Sequence, residues 1–350
     1  MSQNAHTPRR LSPSARMALG LFARYGTILG LAAMIIAFSI LSPRAFPSVS
    51  NFTNVINQAS LAMIIAGGLT MAVIVGELDL SIGFAASLHG LLATGLIVSN
   101  KLPIPIAIAI VIALGALIGF VNGFIVTRMK VNSVIATLGV GTILTGLAFA
   151  YTSGVPIVSG VPEAFLQLSL GRWLFGIPNN IIIMILVLGT LWVVVERTSI
   201  GQEIQAVGGN PSAARLAGID VARVKTLGFV ISGMCAALTG ILLASRLGSG
   251  TTSAADSYLL TAFAAVFLGS ATLRDGEFHV FGTFVGALII AFGFNGLNIF
   301  GAPTFSQYIF QGTILIVAVG LSSLGRLIAE SSQRAPHHDC KNCQLGNLCP

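Results

Sequence analysis

The sequence predicts an all-α polytopic integral membrane protein of about ten transmembrane helices, and three observations carry that prediction. Only 8% of its 350 residues are charged, against about 25% in soluble domains. Hydrophobic residues make up 55%, with a mean hydropathy of +0.91. The apolar residues fall into continuous runs, not the alternating pattern of a membrane β-barrel. A chain this apolar is neither disordered nor an ordinary cytosolic enzyme.

The runs lie at 27–41, 61–75, 82–98, 104–126, 134–150, 181–195, 226–242, 259–269, 280–300 and 308–324. Helices suit them all, because a helix satisfies its own backbone in lipid. Residues 1–20 are polar and basic with no small-residue cleavage site, and the segment 1–26 reads as retained and cytoplasmic. With that end inside, 14 of the 18 Lys and Arg fall in inner segments. The outer segments hold only Arg44, Lys101, Arg172 and Arg246. This excess puts both termini in the cytoplasm, and ten spans keep the parity. The chain then divides into the segment 1–26, a transmembrane domain 27–325 with a cytoplasmic loop 196–225, and a cytoplasmic tail 326–350. The net charge of +7 sets topology; no basic–aromatic stripe suggests a nucleic-acid partner. Residues 72–83 and 265–282 echo one another loosely, each an apolar run, Gly, a polar stretch, Gly and an apolar run.

Two connections carry structure signals. In 196–225, Asn210 is a good N-cap, Pro211 fits the first helical position, 212–217 continue the helix, and Gly218 suits a left-handed stop. Such a capped helix, with Arg215 and Asp220 nearby, suits docking of a soluble partner or a solvated connector. The outer segment 152–180, with three prolines and few charges, has room for a small external helix.

Besides the loop 196–225, three groups of residues are chemical candidates. Glu77 and Asp79, with Ser81, stand between two apolar runs and are flanked by Gly76 and Gly83. A charge at mid-membrane costs about 2.5–3.5 kcal/mol and persists where it meets water, finds a partner or works. Either the two helices break here around a cavity, or the carboxylates sit in water at an interfacial turn. His89, Asn122, Asn295 and Asn298 lie inside apolar runs. Amides there bond helix to helix, or bond the hydroxyls of a polar solute in a pathway. Asn295 and Asn298 share one helix face, with Gly282 and Gly286 on the same span. Among the cysteines, Cys235 reads as a small packing residue. His337, Cys340 and Cys343 have metal-ligand chemistry but lack a second ligand pair, and a floppy thiol-bearing end is the plainer reading. No phosphate-binding G-x-x-x-x-G-K-[ST] loop occurs, so no ATP site of that kind lies in this chain. H-E-x-x-H and an Arg-rich voltage-sensing helix are likewise absent from the sequence.

At these residues the chain resembles the membrane permease subunit of the ribose-type ABC sugar importers. The family pattern Gly-Gly-Ile-Asp-Leu-Ser-Val-Gly is similar to residues 76–83. Its cytoplasmic stretch resembles Gly208-Gly209-Asn210, Ala213-Ala214-Arg215-Leu216 and Gly218-Ile219. Ser232-Gly233, 244–248, Gly282-Thr283, 286–290 and 295–298 are similar too, so the likeness runs from about 51 to 324. It implies a second permease subunit, identical or not, and cytoplasmic ATP-binding subunits that hold the only cofactor, ATP. It also implies a periplasmic or surface sugar-binding protein, and a bacterial cytoplasmic (inner) membrane location. Gly208, Gly209, Asn210, Ala213, Ala214, Arg215 and Gly218 would then be the region touching the ATPase. Asp79, Ser81, Asn122, Asn295 and Asn298 are the pathway candidates for a neutral, hydroxyl-rich monosaccharide. Glu77 stands where the family usually has Gly, and 275–279 is more acidic than the family's turn. Alternatives are a permease for nucleosides or branched-chain amino acids, a membrane-embedded enzyme, and a gradient-driven carrier in which Glu77, Asp79 or His89 relays protons.

Overall fold

The computed structural model describes residues 13–270 and 277–333. Among them are thirteen helices and no β-strand: α1 (Pro13–Leu41), α2 (Val49–Ile74), α3 (Ile82–Val98), α4 (Ile104–Thr127), α5 (Ser133–Thr152), α6 (Glu163–Leu170), α7 (Asn179–Arg197), α8 (Ser199–Gly209), α9 (Pro211–Leu216), α10 (Val221–Leu247), α11 (Tyr258–Ser270), α12 (Val280–Ile299) and α13 (Phe305–Gln333). Of the described helices, α2, α4, α5, α7, α10 and α12 are long and apolar enough to cross a membrane. Four shorter apolar segments join them: Tyr25–Leu41, Ile82–Val98, Tyr258–Ser270 and Phe305–Val317. These ten stand where the sequence has its ten apolar runs.

Boundaries differ where polar residues hide a helix from hydropathy. The second run reads from residue 61, yet α2 starts at Val49, about three turns earlier. Its first turns carry Asn51, Asn54, Asn57, Gln58 and Ser60, and the Ser48 hydroxyl caps it by accepting from the Asn51 amide at 3.2 Å. Likewise α10 begins at Val221 behind the N-cap Asp220, whose carboxylate accepts from the Arg223 amide. A short helix does occupy 152–180, α6.

Among the six long apolar helices, α2 and α10 are the best buried. In α2, 83% of the apolar window is buried, against 22% in α4. Helices α2, α3 and α4 surround α10. No side chain separates α10 from α3 and α4 at their crossings. A Cβ on Gly90 would meet the Gly240 carbonyl oxygen at 2.7 Å, and one on Gly115 would meet that of Gly233 at 2.5 Å. Farther along α4, Gly119 lies on Phe229 and Gly123 on Thr226. Small residues let membrane helices approach closely where water supplies no drive to associate. A second close pair is α11 with α12, through Gly269 on Gly282 and Gly286 on Ala265. Cys235 is buried, with its Cβ and sulfur against Gly68 of α2, a packing position.

Candidate functional site

Three features occupy the two ends of this bundle. The first is the break between α2 and α3. Helix α2 stops because Gly76 takes φ +83°, a conformation suited to glycine. The Gly76 amide donates to the Val73 carbonyl and the Glu77 amide to the Ala72 carbonyl, both at 3.0 Å, closing a Schellman cap. Beyond it the chain turns inward. Asp79 is 1% exposed, and its carboxylate is gripped on both oxygens. Oδ1 accepts from the Ser81 amide (3.0 Å) and the Ser81 hydroxyl (2.6 Å), and Oδ2 accepts from the Ser232 hydroxyl of α10 (2.8 Å). Asn122 of α4 donates to the Ser81 hydroxyl at 2.8 Å. Helix α5 satisfies the exposed backbone: Thr137 accepts from the Leu80 amide (3.0 Å) and Ser133 from the Leu78 amide (3.4 Å).

Glu77 pairs with Lys225 in the first turn of α10, Nζ to Oε1 at 2.5 Å. The interfacial-turn expectation, with both carboxylates in water, is therefore corrected. Asp79 is buried and hydrogen-bonded, and Glu77 is neutralised by a lysine 148 residues away in sequence. A buried carboxylate needs partners of this kind. Ser133, Thr137, Lys225 and Ser232 escaped sequence reasoning. The one local signal was the i, i+4 spacing of Ser133 and Thr137, which sets both hydroxyls on one face.

The second feature is a cleft of about 260 Å³ between α2, α11, α12 and α13. Gln58, Tyr258, Thr261, Asn295, Asn298 and Gln307 give it a polar side, and Ala59, Ala62, Ala287, Ile290 and Phe294 an apolar one. Asn295 exchanges two amide hydrogen bonds with Asn51, at 2.9 and 3.0 Å. Asn298 accepts from Gln307 at 2.6 Å. The five pathway candidates thus form two groups. Asp79, Ser81 and Asn122 meet beyond the C-terminal end of α2, whereas Asn295 and Asn298 stand by its first turn, about 35 Å away along the helix. His89 is fully enclosed in α3.

The third feature is the protruding loop between α7 and α10, at the same end as the break. It holds two helices where one was expected. Helix α8 was unmarked by any strong cap; Thr198 accepts from the Gly201 amide at 3.2 Å. Helix α9 is as read: the Asn210 side chain accepts from the Ser212 and Ala213 amides, both at 3.0 Å, and Gly218 takes φ +86°. Ile204, Val207 and Ala214 fix the underside. Gly208, Gly209, Asn210, Ala213, Arg215 and Gly218 are all exposed, and Leu216 is 91% exposed. Gly208 lies on the carbonyl of Ile74, the last residue of α2, so the loop rests directly on the helix that breaks at 75–81. His337, Cys340 and Cys343 lie outside the described residues. Among the described residues, no group of three His, Cys, Asp or Glu is placed to hold a metal.

Apolar helices around a helix break, with a polar cleft at one end and an exposed two-helix loop at the other, are the architecture of a multi-pass membrane protein and suit a transport subunit. Residues 51–319 match the family described as "Branched-chain amino acid transport system / permease component". The chain is 39% identical to the ribose import permease of Haemophilus influenzae, over 84% of this chain and 91% of that protein. It is 38% identical to the ribose import permease of Bacillus subtilis (86% and 92%) and 30% identical to the xylose transport system permease of Escherichia coli (85% and 90%). No solved structure matches it. The chain belongs to this permease family, within the ribose-type ABC importer permeases.

Proposed function

We propose that this chain forms the translocation pathway for a ribose-like pentose or hexose, working with a second permease subunit in a bacterial inner membrane. Separate cytoplasmic subunits bind and hydrolyse ATP, and a periplasmic or surface binding protein delivers the sugar. All ten apolar helical segments cross the bilayer, with residues 1–26 and 326–350 in the cytoplasm, as the 14-to-4 split of basic residues asks. The exposed face of α8 and α9, with Gly208, Gly209, Asn210, Ala213, Arg215 and Gly218, receives the ATPase, and the buried Ala214 fixes that face from beneath. Asn295 and Asn298 line the pathway. Asp79, Ser81 and Asn122 hold its inner end in shape.

The observation that carries the substrate class is the cleft lining. It presents amides and hydroxyls opposite an apolar wall, and among the described residues no Asp, Glu, Lys or Arg lines it. Sugars offer hydroxyls to such amides and C–H faces to such walls. A zwitterionic amino acid would bring two charges with no partner, at a high desolvation cost. A proton relay also finds no support, since Glu77 is paired with Lys225 and Asp79 is bonded on both oxygens.

Purification from native membranes in mild detergent is expected to bring down a stoichiometric ATP-binding subunit, identified by mass spectrometry. A lone oligomer, reproducibly free of any ATPase, would overturn this reading. Within the cleft, Asn298→Leu is the cleaner probe. The residue is exposed, so folding should change by about 0.5 kcal/mol or less. Sugar uptake should fall roughly tenfold at limiting sugar, the value of one lost hydrogen bond. Asn295→Leu should lower uptake too, with an added stability loss of about 1 kcal/mol, because the Asn51 side chain loses both bonds to Asn295 and keeps only its donation to the Phe46 carbonyl. Undiminished uptake in both variants would remove these residues from the pathway.

A further inference from the structure

We propose that the tight turn at 172–177 is a lipid anchor, seated in the headgroup boundary of the bilayer face opposite the α8–α9 loop. The turn has a firm base. The Asn179 amide donates to the Gly171 carbonyl (3.0 Å), the Asn179 side chain accepts from the Trp173 amide (2.8 Å) and donates to the Gln167 carbonyl (2.8 Å), and Gly171, Pro178, Asn179 and Asn180 are all buried. From that base every residue from Arg172 to Ile177 is exposed. Phe175 and Gly176 both take positive φ, +48° and +73°, as the central residues of a type I′ turn do. Such positions normally go to Asn, Asp or Gly, and a bulky residue there is an outlier. Phe175 is nonetheless 93% exposed, Trp173 61% and Leu174 53%. A turn facing water has no use for three large apolar side chains at its tip.

Helix length identifies the occupant. Helix α7 starts two residues after the turn and has 19 residues, a length of about 28 Å. That nearly equals the roughly 30 Å hydrocarbon layer, so Asn179 stands at the lipid boundary. The turn then lies at headgroup depth, continuous with the exposed apolar flank of α7 at Ile185 and Leu186. Tryptophan is enriched at that depth, where an apolar ring and a polar N–H meet both phases. Arg172 keeps its guanidinium there by donating to the Gly176 carbonyl at 2.9 Å, which also closes the turn.

The inference rests on α7 crossing the bilayer, and the chain's two tryptophans, Trp173 and Trp192, separate the two claims. Trp192→Phe leaves Trp173 as the sole fluorophore, and Trp173→Phe leaves Trp192 in the span. Both proteins are placed in phosphatidylcholine vesicles with bromines on the upper acyl chain. Trp173 emission is expected to be quenched severalfold more by these lipids than by iodide in the water. Adding Phe175→Ser is expected to shift the emission to the red and raise iodide quenching severalfold. If iodide quenches Trp173 while the lipids quench only Trp192, the anchor is overturned and the span stands. If the lipids quench neither, the crossing of α7 falls, and the anchor with it. Shielding of Trp173 that arises only on adding the purified sugar-binding protein would assign the turn to a protein partner and overturn the lipid seat.

Discussion

Replacing Asp79 with alanine is expected to lower folding stability by about 3–5 kcal/mol, the largest loss of any single substitution in the break. Three donors lose their acceptor at once: the Ser81 amide, the Ser81 hydroxyl and the Ser232 hydroxyl. Each orphaned buried donor costs about 1–3 kcal/mol. The serine hydroxyls can rotate toward other acceptors, which holds the total below the sum; the Ser81 amide cannot. Asp79→Asn keeps one acceptor oxygen and should cost about 1–2 kcal/mol. The check is thermal unfolding of detergent-solubilised protein followed by size exclusion, with Ser232→Ala as a companion. An Asp79→Ala protein as stable as its parent would mean that the α5 hydroxyls alone hold the break.

The second large effect belongs to the loop, and two variants separate its surface from its seat. Leu216→Asp alters a side chain that is 91% exposed, so stability should stay within about 0.5 kcal/mol. Sugar-stimulated ATP hydrolysis in the reconstituted importer should nevertheless fall at least about tenfold. A charge there must be desolvated against a docked partner, and 1.4 kcal/mol is already a factor of ten. Gly208→Ala acts from the other side. Its Cβ would be driven into the Ile74 carbonyl, lifting α8 from the end of α2. ATPase binding should survive while uptake per ATP declines. At neighbouring Gly209 a Cβ meets nothing within the chain, so Gly209→Ala leaves the seat of α8 intact and probes only the docking face. Normal coupling in both Leu216→Asp and Gly208→Ala would remove this loop from the docking role.

Much of this was readable because it is local. Ten apolar runs gave ten helical segments, and the Asn210, Pro211 and Gly218 signals gave α9 with its cap. Residues 76–83 announced a break, since two glycines and two carboxylates cannot continue an apolar helix. What holds the break was not readable. Glu77 meets Lys225, and Asp79 meets Ser232, only because α10 folds back across the end of α2, and no spacing rule links residues 148 or 153 apart. The start of α2 was missed for the opposite reason. Its polar first turns face Asn295 and the cleft, and a helix bearing functional polar residues loses the hydropathy signal that would reveal it.

The glycine contacts of α10 have a mechanical consequence. Where backbone rests on backbone, two helices cannot slide or roll without a clash, so α10 with α3 and α4 is a stiff block, and α11 with α12 another. The seams between the blocks run through α2 and are made of softer material: the Asn51–Asn295 amide pair, the Thr70–Thr283 hydroxyl contact at 2.7 Å and the cleft itself. The part-buried Asn51–Asn295 bonds, beside the cleft, can exchange for water or sugar. The compliance of the fold therefore lies beside the polar cleft, and α2, about 39 Å long, links that cleft to the seat of α8, with the Gly67–Gly68 pair at its middle the place where it bends most easily.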